Sequence, residues 1–372
     1  MKKVITTVGT SIFTNYLQEH DDIKEHYSVI EKKWHREWDV CKDRLNRIRK
    51  PVTNWARQNR DASAEIKSLI KLRETEKDSL DVFLLATDTV ASRLAAEIIK
   101  DVFTGSEEIN INFNENQDVI SGLQVKEYEL FVKTGAHEFV KRIKNIARGF
   151  FSDIVFNISG GYKGLIPFMT IMAQVNSCDV VYIYEESEAL IKIPKTPIKI
   201  DYELFDRYYK EIMLLENAIE NYEIAKRADY QKFNELEERG LVEVLGNYAF
   251  LSPIGNIFFE RYKNQFFLFY CSDEVWEEIQ RQSDIKRILT EKFSNEEIRK
   301  NKTEIKQGLS GIKHTVYDDG NNNNRIYYFE EGDNIYIYKT FEDEEAAKEF
   351  IKTKFDKERI VKNSTLRRLE VK

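Results

Sequence analysis

The stretch Asn157-Ile158-Ser159-Gly160-Gly161-Tyr162-Lys163-Gly164 constrains the fold of this 372-residue chain more than any other. Apolar Ile154-Val155-Phe156 precedes it and reads as a buried strand; residues 165–175 follow as an apolar helix. A strand–glycine–helix junction of this kind belongs to an open α/β sheet, whose ligands sit at the carboxyl ends of the strands. Two adjacent glycines let the backbone turn sharply and approach a ligand closely. The start of the following helix offers N–H groups to an anion, and Lys163 adds a point charge suited to a phosphate. Two more strand ends share this character. Residues 3–8 run into Gly9-Thr10-Ser11, and residues 82–86 run into Thr87-Asp88-Thr89 ahead of a helix over 90–103. Any one of these loops would serve as an ordinary helix cap. Together they predict one polar rim.

Spacing excludes two neighbouring classes. The glycines around Lys163 lack the four-residue gap and the Lys-Ser/Thr pair of a Walker A loop, and no G-x-G-x-x-G occurs, so no dinucleotide cofactor is expected. A net charge of −7 argues against generic adhesion to nucleic acid and leaves only local patches for RNA. Cys41, Cys178 and Cys271 are scattered without metal or disulfide spacing, which suits a reducing cytoplasm and no structural zinc. Met1-Lys2-Lys3 opens directly into a short strand, with no signal peptide. No apolar run approaches the ~20 residues of a membrane span. A cytoplasmic protein without membrane contact is expected.

The three loops in this order resemble the CRISPR-associated Rossmann-fold (CARF) sensor domain: Thr-Val-Gly-Thr-Ser after the first strand, Ala-Thr-Asp-Thr after a middle one, and later Asn-x-Ser-Gly-Gly-Tyr-Lys. The resemblance covers residues 1–198 and implies an α/β Rossmann-like domain. It also implies a homodimer that binds a cyclic oligoadenylate, with cyclic tetra-adenylate the expected activator and no other cofactor. Gly9, Thr10 and Ser11 would form the first ligand loop. Thr87 and Asp88 would lie near the ring, and Asn157, Ser159, Gly160, Gly161 and Lys163 on the phosphates. The departure from the family is a polar segment over about 21–77, bearing Trp34, Trp38 and Trp55 and read as an inserted helical hairpin.

Residues 199–263 read as helices followed by a hairpin over 241–251 and a last helix after Ser252-Pro253, an order that resembles a small winged helix. Its third helix, Gln231-Lys232-Phe233-Asn234-Glu235-Leu236-Glu237-Glu238-Arg239, is net acidic, so a connector is expected rather than a DNA reader. Residues 264–372 read as a strand, two polar helices over 272–282 and 284–307, strands over 312–317, 325–329 and 334–339, a helix and a basic tail. That order resembles the α+β fold of the RelE/HigB toxins, and the resemblance implies metal-independent cleavage of mRNA on the ribosome. The whole would then be an ancillary effector of type III CRISPR antiviral defence.

The chemistry of such cleavage is attack of a 2′-hydroxyl on the adjacent phosphate, with cations stabilising the developing charge. Arg325 is a candidate phosphate clamp and Lys339 a second cation. Lys313 and His314 alternate in direction along a strand, so only one faces the site. His314 or Tyr327 is a candidate proton carrier. Arg359, with Lys352, Lys354, Lys357, Arg367 and Arg368, is a candidate RNA-backbone contact. Two alternatives stay open: a ligand-responsive winged-helix transcription regulator, and a metal-dependent nuclease built on Asp284 and Glu304-Ile305-Lys306, although Glu304 is expected on a helix.

Overall fold

The computed structural model describes residues 1–124, 127–184, 189–308, 313–320, 323–332, 334–353 and 355–371; Lys354 and Ile312 lie outside them. The chain divides into two compact units, Met1–Glu260 and Arg261–Lys372.

The first unit is built on six strands: β1 (Lys2–Val8), β2 (Leu80–Ala86), β3 (Ile109–Asn112), β4 (Ile154–Asn157), β5 (Asp179–Ile183) and β6 (Leu190–Ile193). Their order is β3-β2-β1-β4-β5-β6, parallel except for the antiparallel last strand. Val4 pairs with Val82 on one side and Val155 on the other, so β1 is central. Successive side chains of a strand point to opposite faces, and β1 is buried on both. Val4 and Val8 enter a core with Ile12, Phe13, Ile48 and Leu94. Ile5 enters a second core with Phe139, Ile143, Phe156 and Met169. This two-sided burial is why β1 reads as a nearly continuous apolar run. The strand order reverses on either side of β1, and a crevice opens there at the carboxyl ends.

β3 was not expected from sequence. Ile109 and Ile111 are buried, while Asn110 and Asn112 donate to the Asp81 carboxylate at 2.8 and 2.7 Å. The segment over 21–77 also differs from the expected hairpin. After α1 (Ser11–Glu19) it forms α2 (Lys24–Ile30), two short turns, α3 (Lys42–Gln58) and α4 (Ala64–Glu76). α3 docks on α5 (Val90–Val102) through Leu45, Ile48 and Val52, and Arg49 bridges Glu97 and Asp101 at 2.8 Å each. α4 docks elsewhere, beside β5 and β6. Its Ser63 cap accepts from the Ile66 amide, and Glu76 at its far end pairs with Lys2 at 2.5 Å and Lys192 at 3.2 Å.

Residues 202–251 hold helices Tyr202–Arg207, Tyr209–Glu216, Tyr222–Ala228 and Tyr230–Glu238. They also hold a three-stranded sheet of order β7-β9-β8, from β7 (Ile219–Glu220), β8 (Val242–Leu245) and β9 (Tyr248–Leu251). The chain then enters the helix Pro253–Gln265, whose Ile257 joins the core of Phe139 and Ile143. Burying one such side chain contributes about 1.5–3 kcal/mol. Lys144 and Glu260 close the same junction with a 2.6 Å ion pair.

The second unit is a six-stranded sheet of order β11-β12-β13-β14-β10-β15. Its strands are β10 (Phe266–Cys271), β11 (Thr303–Gln307), β12 (Lys313–Asp318), β13 (Arg325–Glu331), β14 (Asn334–Phe341) and β15 (Thr365–Glu370). Val275, Ile279, Leu289 and Phe293 pack with Tyr317, Ile326, Tyr328 and Ile337 in one core; Val316, Tyr327 and Ala347 centre another, with Tyr338 and Phe350 packed against it. Two expectations are corrected here. Glu304-Ile305-Lys306 lies on edge strand β11, not on a helix. The basic tail is a helix, Lys357–Asn363, followed by β15, which pairs antiparallel along β10, with Arg367 ion-paired to Asp273 and Arg368 4.4 Å from the Phe266 ring centroid.

Candidate functional site

The three loops predicted to share a rim do share one. Gly9 and Thr10 after β1, Thr87 and Thr89 after β2, and Gly161, Tyr162 and Lys163 after β4 line a single open cavity of about 650 Å³. This is within the size range of small-molecule sites. Ser92, on the first turn of α5, also lines it; its hydroxyl donates to the Val8 carbonyl at 2.8 Å and accepts from the Thr87 amide at 3.0 Å, joining two of the loops. Lys163 is exposed at the mouth.

The other predicted residues work behind this wall. Asn157 is fully buried and donates to Ser68 on α4 at 2.8 Å, while its carbonyl accepts from the Ser159 amide. The Ser159 hydroxyl accepts from the Ile183 amide at 2.9 Å. The Asp88 carboxylate accepts from the Gly122 amide at 3.0 Å and so fixes the next loop. Gly161 adopts φ +86, and a Cβ there would strike the Thr7 side chain.

Sequence reading missed Glu65 altogether. It is 1 % exposed, on the first turn of α4. Its Oε1 accepts from the Gly9 amide at 2.7 Å and the Gly161 amide at 3.0 Å, and its Oε2 lies 3.4 Å from the Ser11 hydroxyl. A Cβ on Gly160 would collide with the same carboxylate. Two backbone N–H groups expected to face a ligand phosphate are therefore already held by an internal anion. A glutamate in a polar helical stretch carries no local mark of burial, so no sequence signal distinguished it.

Part of the insertion completes the cavity. Glu31, Lys32 and Trp34 line it, as do Gln124 and Glu127. Backbone bonds fasten this segment to the second loop: His35 N to Asp88 O at 3.2 Å, and Val90 N to Lys33 O at 3.0 Å. The His35 ring sits 2.9 Å from an Arg93 nitrogen, and burial together with that cation holds its pKa below the ordinary value. Tyr128, close after Glu127, donates to Glu243 on β8 at 2.7 Å, which pushes its phenol up to about 12.

In the second unit, His314 and Arg359 meet. Both line a cavity of about 280 Å³ walled by Tyr338, Phe350 and Phe355. His314 is 1 % exposed, its Nδ1 lies 3.0 Å from the Tyr338 hydroxyl, and burial lowers its pKa, partly offset by the Ile351 carbonyl. Lys313, its neighbour, is exposed. The remaining predicted residues do not line this cavity. Arg325 pairs with Asp318 across the β12–β13 register at 2.8 Å and is largely buried. Lys339 pairs with Glu278. Tyr327 is buried and donates to the Ala347 carbonyl at 2.8 Å. Lys357 pairs with Glu331 at 3.0 Å and Lys352 with Glu349 at 2.6 Å. Asp284 pairs with Arg287 at the surface, and among the described residues no three His, Cys, Asp or Glu side chains gather as metal ligands. Nor is any helix among them long and apolar enough to cross a membrane.

Residues 60–196 match the model of a family described as CRISPR-associated protein (Cas_APE2256). The matched segment begins just before α4, so it takes in Glu65, the loop at Thr87 and the loop at Gly161–Lys163. It leaves out β1 and the wall at 31–35. Over these residues, fewer than half of the chain, the protein is similar to a CRISPR-associated family.

Proposed function

We propose that the chain is a cyclic oligoadenylate-activated ribonuclease of type III CRISPR defence, acting as a homodimer that cuts mRNA on the ribosome. The observation that carries this reading is the convergence of three βα loops and Lys163 on one cavity, at the reversal of strand order, with the second and third loops in a segment similar to a CRISPR-associated family. A base-bearing ligand suits its hydroxyl-rich walls, and Lys32 and Lys163 offer cations to its phosphates on a lining that also carries Glu31 and Glu127.

The cutting end is the second unit. His314, held neutral by burial, can accept the 2′-hydroxyl proton as the O2′–P bond forms and the P–O5′ bond breaks, and return it to the departing 5′-oxygen. Arg359 offers a guanidinium to the attacked phosphate. Arg325 and Lys339 join the reaction when they leave Asp318 and Glu278, so the resting chain keeps two of its cations on its own carboxylates. A ligand favours the cutting arrangement only by binding it more tightly than the resting one.

The test is a translating extract with a defined mRNA, with and without cyclic tetra-adenylate. Cuts that need both ligand and ribosomes are expected, and Arg359→Ala should lower cutting about a hundredfold with ligand affinity unchanged. A chain that binds the ligand and cuts nothing would overturn the ribonuclease reading. Ligand-dependent DNA binding in its place would favour the winged-helix regulator. Lys232, on the fourth helix of residues 202–251, speaks against that outcome, because it already pairs with Glu211 and Asp229 at 2.7 Å each.

A further inference from the structure

Three tryptophans lie in the segment between β1 and β2, and the structure separates their roles. Trp38 and Trp55 pack against the first core, and Trp38 also carries the Arg93 guanidinium 3.8 Å from its ring centroid. Trp34 instead lines the 650 Å³ cavity, half-buried, on a stretch that the family match does not include. Its backbone bridges to Thr89, and its amide donates to the Glu37 carboxylate at 3.0 Å, so the ring is presented from a braced turn. Lys32 beside it is exposed and lines the same cavity, and the exposed Arg36 lies 5.3 Å from the Trp34 ring centroid. An aromatic face flanked by cations is the arrangement that takes a nucleobase by stacking and its phosphate by charge.

We infer that Trp34 is a base-stacking wall of this cavity, taking a purine of the bound nucleotide, with Lys32 near that nucleotide's phosphate. The inserted segment is thereby a recognition element. This rests on the nucleotide reading of the cavity proposed above. Stacking tolerates any base, so Trp34 contributes affinity, and selection among ring sizes falls to other residues.

The experiment is calorimetric and fluorescence titration of the full chain with cyclic tri-, tetra- and hexa-adenylate, for wild type, Trp34→Phe and Trp34→Ala, with thermal unfolding of each. Expected are quenching of tryptophan emission in wild type and a smaller quench in Trp34→Phe, which keeps most of the affinity. Trp34→Ala should bind about tenfold or more weakly at an unchanged melting temperature. Wild-type binding with unchanged affinity in Trp34→Ala would overturn this inference and leave the nucleotide reading standing. So would full quenching in Trp34→Phe. A wild type that binds none of the rings would overturn the nucleotide reading, and this inference with it. Should Trp34→Ala melt early, the Trp34→Phe quench decides alone.

Discussion

Glu65 turns the first and third loops into one piece, because a single carboxylate oxygen serves an amide from each. Removing it takes the protein partner from two part-buried N–H groups, at up to about 1–3 kcal/mol each. Glu65→Ala is therefore expected to weaken cyclic tetra-adenylate binding about tenfold or more. Added formate should restore much of that loss, since it fits the vacated anion position. Glu65→Gln should not respond to formate, because its amide fills the space. A Glu65→Ala chain with full affinity would show that the loops hold their shape unaided. His314 makes a second prediction at this scale. Burial puts its folded pKa below the ordinary 6.5, so the unfolded chain takes up the proton first as the pH falls. Its contribution to stability is whole above about 6.5 and is lost as the pH drops through that value towards the folded pKa. The urea midpoint of wild type should fall further between about pH 7.5 and pH 5 than that of His314→Phe. Parallel shifts would remove His314 from the linkage.

At the scale of elements, Gln124, Glu127 and Tyr128 connect the cavity with the small sheet. Gln124 and Glu127 line the cavity, and Tyr128 donates to Glu243 on β8. Tyr128 is 57 % exposed, so losing its hydroxyl should cost at most about 1 kcal/mol of stability. Tyr128→Phe should bind cyclic tetra-adenylate normally and activate RNA cutting poorly, as read by cleavage at saturating ligand. Normal activation would place the link elsewhere, and Ile257 in the Phe139 core is then the next candidate. Some elements were legible and others were not, for physical reasons. β1, β2 and β4 showed in the sequence because burial on both faces demands unbroken apolar runs. β3 and β11 are edge strands, four and five residues long, whose exposed faces carry Asn, Glu and Lys, so their composition matches that of a loop or polar helix. β15 reads as a basic tail because its arginines point at Asp273 and Phe266, partners distant in sequence.

Across the whole molecule, the same division runs between local and distant causes. The convergence of the three loops was legible, since a parallel sheet brings its strand ends to one side whatever lies between them. Glu65 and Trp34 were not, because each reaches the cavity through the docking of helices and turns that local pattern leaves free. The carboxylates that hold Arg325 and Lys339 were equally hidden: Asp318 faces Arg325 only once β12 and β13 are in register, and Glu278 lies 61 residues before Lys339. A sheet residue's charge is therefore a poor guide to its freedom until its cross-strand neighbour is known.

β1 lies in the middle of its sheet yet is separated by more than 50 residues of chain from α4 and from everything that pairs with it. A fragment limited to residues 60–196 would carry β2 and β4 with an unfilled slot between them, two inner edges of open backbone where the first strand belongs. Such a fragment would behave as a receptor for a short apolar peptide. Residues 1–19 supplied separately would be its natural complement, and the Gly9 amide would then find Glu65 across a break in the chain. The sheet is thus a two-part lock whose key is its own first strand.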